Sequence, residues 1–201
     1  MVAESSTRTL NSASMMAPST REAEYAARMS MIRTILTYPN PELKKKSAPV
    51  TVINDSIQQL VKDMAETMYD APGVGLAAPQ IGVHQRIVVI DVSAKDEPPA
   101  LIVAINPVIV HAEGEAYEEE GCLSVPGYAA NVRRHASVVV KGLDLAGNEK
   151  TWRAEDLLAI AFQHEIDHLD GVLFVDHLSP LKRDLFQRKF RKAAEEKRGD
   201  R

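Results

Sequence analysis

The chain has 201 residues, 45% of them hydrophobic and 26% charged, with a formal net charge of -4. That length suits one globular core, and no apolar run approaches the roughly 18 residues of a membrane span, so a soluble protein with no membrane association is expected. The negative balance argues against chain-wide attraction to nucleic acid. The single cysteine, Cys122, excludes an internal disulfide and points to a reducing compartment.

Residues 1–30 are rich in Ser, Ala, Thr and Met without apolar periodicity and read as a disordered leader or an upstream start, with Met31 as an alternative beginning. Arg8, Arg21 and Arg28 lie among serines as in a transit peptide, but Glu4, Glu22 and Glu24 break the acid-poor pattern such peptides need. Organellar targeting is therefore not expected. From Asp55 to Tyr69, the residues Ile57, Leu60, Val61, Met64, Ala65 and Met68 recur at helical spacing behind the capping candidates Asn54 and Asp55, which predicts an amphipathic helix. Candidate strands follow at Ile87 to Val92, Leu101 to Ile105, Val108 to Val110 and Ser137 to Leu143, separated by Pro, Gly and Asp. Ala154 to Leu169 reads as a second helix, starting near Glu155 and Asp156, stopped at Gly171, and apolar nearly all round, as a buried helix is. Ser179-Pro180 opens a final helix carrying Leu181, Leu185, Phe186 and Phe190. This order predicts an α+β fold: a buried central helix surrounded by mainly antiparallel β-sheets, with a core over 31–180 and a basic C-terminal helix and tail over 181–201.

The second helix contains His164-Glu165-Ile166-Asp167-His168, an H-E-x-x-H pattern. Residues four apart share a helix face, so both imidazoles can converge on one divalent ion while Glu165 reaches a water on it. Polar groups buried without partners cost several kcal/mol, so a helix this apolar would not carry three of them idly. A catalytic centre of this type usually has three protein ligands. One metalloprotease pattern continues as H-x-x-G-x-x-H, and the chain follows it through Gly171 but has Phe174 where the third histidine belongs. His177 lies three residues too late, and Glu195 and Glu196 belong to the charged tail. Cys122 is the better candidate, because it sits in the polar, glycine-bearing stretch Glu120-Gly121-Cys122-Leu123-Ser124 rather than in an apolar core segment.

Three separated motifs, Gly73-Val74-Gly75-Leu76-Ala77-Ala78-Pro79-Gln80, Glu120-Gly121-Cys122-Leu123-Ser124 and Gln163-His164-Glu165-Ile166-Asp167-His168, resemble those of peptide deformylases in content and order, within a similarity running from about Met31 to about Leu181. The resemblance implies metal ligation by Cys122, His164 and His168. It implies Glu165 as general base, and the Gln80 amide and Leu123 backbone N–H as donors to the oxyanion. The reaction implied is attack of a metal-bound water on the formyl carbonyl of N-formylmethionyl peptides. Fe(2+) is the ion it favours, while two imidazoles and a thiolate suit Zn(2+) by type, and Ni(2+) or Co(2+) also serve the family.

Within the same resemblance, Gly73, Val74, Gly75 and Gly121 lie beside an extended substrate, though the glycines also read as ordinary turn residues. Leu157, Ile160 and Ala161, a turn or less before His164, either line the methionine pocket or form plain core. Glu120 resembles a residue that supports the site and is expected to pair with Arg134. Glu118 stands where an apolar residue near the pocket is common, and Glu119 reads as solvated. Competing readings are an H-E-x-x-H protease and a structural zinc module, although no fourth protein ligand is evident for the latter. Lys182, Arg183, Arg188, Lys189, Arg191 and Lys192 face Asp184 alone in the final helix. Such a segment is either a solvated face or, as the family implies, a ribosome-docking helix. A monomer in the bacterial cytoplasm is expected.

Overall fold

The computed structural model describes residues 31–94 and 96–199, with side chains through residue 190. The expected leader over 1–30 lies outside the described residues, as do the side chains of Arg191, Lys192, Glu195 and Glu196. Among the described residues the chain forms three α-helices, α1 (Asp55–Asp70), α2 (Asp156–Leu169) and α3 (Pro180–Gly199). The strands are β1 (Gly75–Ala77), β2 (Ile87–Ile90), β3 (Ile102–Glu113), β4 (Ala116–Gly121), β5 (Ala129–Arg134), β6 (Ser137–Leu143) and β7 (Glu149–Glu155). Five of them make an antiparallel sheet in the order β1-β2-β3-β6-β7, and β4 and β5 pair as a separate ribbon. The fold is the expected α+β arrangement. No helix among the described residues is long and apolar enough to cross a membrane.

Burial on both faces of the sheet explains the near-continuous apolar run of β2. Ile87 and Val89 point to α1 and join Leu60, Val61, Met64 and Met68 in one buried cluster. Val88 and Ile90 point the other way, to Ala159, Phe162, Ile166 and Leu169 of α2. The six apolar positions expected to bury on α1 all do so, and Asn54 caps it by accepting from the Ile57 N–H at 3.2 Å.

Two expected strands, Leu101 to Ile105 and Val108 to Val110, prove to be parts of one, β3, with a register shift between Ile105 and Val108. Pro107 is tolerated there because a bulge leaves no ladder bond for it to break. Its neighbour Asn106, at φ 52, uses its side chain to bind both the N–H and C=O of Val50 at 2.8 Å. The expectation that α2 begins at Ala154 is also corrected: Ala154 and Glu155 end β7, and Asp156, at φ 51, turns the chain into the helix. Gly171, at φ 75, stops it, and a Cβ there would lie 2.7 Å from the Lys44 carbonyl carbon.

The β4–β5 ribbon faces α2 from the other side, and beneath it lies a third cluster that includes Val125, Val132, Phe174, Leu178 and Phe186. The final helix is therefore anchored rather than appended. Phe186, 1% exposed, meets the rings of Tyr38, Tyr128 and Phe190 with centroids 5.0, 4.9 and 4.6 Å away. Phe186→Ala is expected to destabilise the chain by about 3–5 kcal/mol, the usual cost of emptying a phenylalanine site in a core, as read by guanidinium unfolding.

Candidate metal centre

One turn of α2 carries His164 and His168 on the same face, with ring centroids 5.0 Å apart. Cys122 follows the last residue of β4, and its Sγ lies 3.1 Å from His168 Nε2. The three donor atoms all lie within 4.8 Å of one another, and both histidines are buried. Burial takes the His168 imidazole well below its ordinary pKa, which leaves it neutral as a ligand must be. Burial also works against a proton on His164, but its contacts with Cys122 and Glu120 outweigh that and carry it well above the ordinary value. Glu120 meets His164 Nδ1 at 2.8 Å, which leaves Nε2 as the ligand atom.

Glu120 is held in turn by Arg134, whose Nε and Nη2 donate to its two oxygens at 2.7 and 3.1 Å. Burial raises the Glu120 carboxyl, but the hydrogen bonds from His164 and Arg134 prevail and bring it down to about 2. The carboxyl of Glu165 has the opposite fate. It is 4% exposed, its Oε2 has no hydrogen-bond partner, and burial pushes it up to about 7. β1 passes so close that a Cβ on Gly75 would lie 2.9 Å from the Glu165 carboxyl carbon, so any larger residue there would push that carboxyl aside.

Gln80 is 1% exposed in a short 3-10 turn, Ala78–Ile81. Its Oε1 accepts from the Ala77 N–H at 2.8 Å, and its Nε2 donates to Ser124 at 3.1 Å and lies 3.7 Å from Cys122 Sγ. Among the described residues no protein acceptor takes the Leu123 N–H.

These groups open onto a cavity of about 640 Å³. Gly73, Val74, Gly75 and Gly121 line it, as do Leu157, Ile160 and Ala161, so all seven residues expected beside the substrate meet there. Cys122, Leu123, Gln80, His164 and Glu165 line it too, whereas His168 lies behind. Glu119, read as solvated, is exposed at the rim of the cavity, and Glu118 is exposed outside it. Along β4, Glu120 turns inward to His164, and Glu119 points to the other face of the strand.

Sequence reading missed Val125 and Tyr128 in the lining, and Asp167 and His177 behind it. Phe174, standing where a protease would have a third histidine, stacks on His164 with centroids 6.1 Å apart at 25°. The donor set suits a borderline divalent ion. With three protein ligands among the described residues, such an ion would leave one position for water, and Glu165 lies on the wall of the same cavity.

A family model for polypeptide deformylase matches residues 32–184. The chain is 52% identical to the peptide deformylase of Thermodesulfovibrio yellowstonii over 160 residues, covering 80% of this chain and 97% of that protein. It is 53% identical to that of Acidobacterium capsulatum over 162 residues, 81% of this chain and 95% of the relative. Among solved structures, a peptide deformylase from Legionella pneumophila superposes with a TM-score of 0.76 at 50% identity, covering 83% of this chain and 97% of that one. A peptide deformylase from Acinetobacter baumannii with Met-Ala-Ser bound superposes at 0.71 and 33% identity, over 75% and 100% of the two chains.

Ion binding requires neutral imidazoles and a thiolate, so the raised His164 proton competes with the ion as pH falls. Affinity for a divalent ion is therefore expected to drop with falling pH, and loading is expected to release protons, as measured by titration calorimetry in buffers of different ionisation enthalpy. Cys122→Ser is expected to lower metal per chain, because a hydroxyl is a poorer ligand than a thiolate.

Proposed function

Because the chain belongs to the peptide deformylase family, a family of hydrolases, we propose that it removes the formyl group from the N-terminal formylmethionine of newly made proteins, using one divalent ion held by Cys122, His164 and His168. The observation that carries this reading is the buried, unpartnered Oε2 of Glu165 beside that donor set on the cavity wall. When bound, a divalent ion would lower the pKa of a water it holds from its bulk value to about 7. Glu165, whose carboxyl burial pushes up to about 7, takes the proton of the attacking water and passes it to the departing amine. The water oxygen joins the formyl carbon as the C–N bond breaks, giving formate and a free N-terminal amine.

The Gln80 amide and the Leu123 N–H donate to the carbonyl oxygen as it gains negative charge, and such donors are typically worth roughly 3–4 kcal/mol each. Ala77 and Ser124 hold the Gln80 amide beside the Cys122 loop, and the N–H now turned to Cys122 Sγ is the one available to the substrate oxygen. The substrate backbone runs along Gly73 to Gly75, because β1 is a sheet edge with one side free for an added strand. Gly121 leaves room for it, and the methionine side chain lies against Leu157, Ile160 and Ala161. The Met-Ala-Ser bound to the Acinetobacter neighbour suits this reading.

We assign Fe(2+) as the ion in the cell on the family resemblance, with Ni(2+) or Co(2+) as working replacements and Zn(2+) compatible by donor type. Metal analysis of protein purified without oxygen, paired with activity per ion, decides it. We assign the protein to the bacterial cytoplasm as a monomer, where formylated chains are made.

The decisive test offers formyl-Met-Ala-Ser and a peptide with only internal bonds to one preparation. Amine release from the first alone supports the reading, and cleavage of the second without deformylation overturns it. Glu165→Ala is expected to keep the ion while lowering turnover by roughly 10² or more, the scale of a lost general base.

The exposed basic residues of α3, Lys182 and Arg188 among them, are proposed to dock on the ribosome, where formylated N-termini emerge. Truncation is the wrong test, because Phe186 belongs to the core. Lys182→Glu with Arg188→Glu is instead expected to leave hydrolysis of a free formyl-peptide intact and to reduce co-sedimentation with ribosomes at low salt. Unchanged co-sedimentation would rule the docking role out.

A further inference from the structure

His177 failed the spacing of a third ligand, yet it ends a continuous chain of hydrogen bonds that begins at a ligand. Glu120 meets His164 Nδ1 at 2.8 Å, and Arg134 grips both oxygens of Glu120. Arg134 also donates through Nη1 to Asp167 Oδ2 at 2.6 Å, and His177 Nε2 meets the same oxygen at 2.7 Å. The four groups beyond His164 come from β4, β5, α2 and the 3-10 turn Phe174–His177. Arg134 Nη1 also lies 3.4 Å from His177 Nε2. An ionised carboxylate only accepts, so His177 Nε2–H donates to Asp167, and the longer approach of Nη1 is a contact between two donors rather than a hydrogen bond.

The ribbon shows why the far end of the chain matters. The cross-strand partner of Glu120 is Ala130, and Arg134 lies four residues further on the same face, opposite Ala116. Its side chain must therefore run lengthwise along the ribbon to reach Glu120. Such a long side chain keeps one geometry only when its remaining donors are fixed. Asp167 fixes Nη1, and His177 fixes Asp167 from the solvent side, where its own side chain is 37% exposed. The same turn touches His164 a second time through the stacked ring of Phe174.

We propose that His177 is a positioning residue for the metal ligand His164, acting through Asp167, Arg134 and Glu120. The inference rests on the reading of Cys122, His164 and His168 as metal ligands, and it ties their geometry to the turn that precedes α3.

The test uses the full chain loaded with Co(2+), whose visible absorption bands report ligand geometry. His177→Ala, His177→Gln, Asp167→Asn and the distant control His111→Ala are compared for band position, cobalt release to excess chelator, and kcat and KM on formyl-Met-Ala-Ser. Loss of a residue that orients a ligand typically costs 10–100-fold in metal affinity or activity, so His177→Ala is expected to release cobalt about tenfold faster, with shifted bands, lower kcat and unchanged KM. Asp167→Asn is expected to do at least as much. Glutamine retains an N–H donor, so His177→Gln is expected to return release to within about twofold of wild type, and His111→Ala to change nothing.

Wild-type bands and release rate in both His177→Ala and Asp167→Asn would overturn the proposal. So would a His177→Gln protein as impaired as His177→Ala, which would mark a merely structural loss. If the unaltered chain takes up no cobalt, the metal reading and this inference fall together. If it binds cobalt but does not deformylate, the activity reading fails while the bands and release rates still judge His177.

Discussion

Four ionisable side chains, those of His164, Glu165, Asp167 and His168, sit on a helix packed through its apolar residues into a sheet, and each costs several kcal/mol to bury without compensation. Much of the surrounding structure answers that cost. His164 leans on Glu120, Glu120 on Arg134, and Arg134 on Asp167, so one guanidinium is shared between two carboxylates on a strand and a helix. His168 meets Cys122 instead. Of these four, Glu165 keeps a buried oxygen with no partner, and it does so on the cavity wall beside His164.

Glu120 and Glu165 divide their roles by surroundings rather than by chemistry. Both are buried carboxyls near His164. Glu120 accepts hydrogen bonds from cations and is held to about 2, so it stays ionised and fixes an imidazole. Glu165 has burial acting on it without such donors and sits at about 7, where a group can both take and return a proton. Two like groups pushed apart by their environments are what acid–base work at neutral pH requires.

The layers of the fold deliver these groups to one point. The sheet separates α1 from α2, and its edge strand β1 brings Gly75 against Glu165. The β4–β5 ribbon covers the opposite side of α2 and contributes Glu120, Cys122 and Arg134. The third cluster, closed by Phe186 of α3, braces Phe174 against His164. A basic helix that reads as surface from its charge thus has one residue in the foundation of the site.

Elements with strong periodicity were legible from the sequence alone. α1 ends within one residue of its expected Tyr69, and β6 spans Ser137 to Leu143 as its β-branched run predicts. The helix α2, its two histidines, Glu165 and the candidate Cys122 are legible from local spacing and motif order. The strands β4, β5 and β7 were not legible, because Tyr117-Glu118-Glu119-Glu120 and their counterparts are polar, and only pairing makes them strands. Likewise nothing local marks Asp167 as a partner of Arg134 or His177 as a partner of Asp167, or distinguishes Glu119 at the cavity rim from Glu118 outside it. The sequence by itself determined which residues can bind an ion and move a proton, since those capacities belong to side chains at helical spacing. Only the tertiary structure decided which carboxylate is ionised, which glycine must stay bare and which surface residue reaches the site, because each depends on atoms brought together from distant parts of the chain.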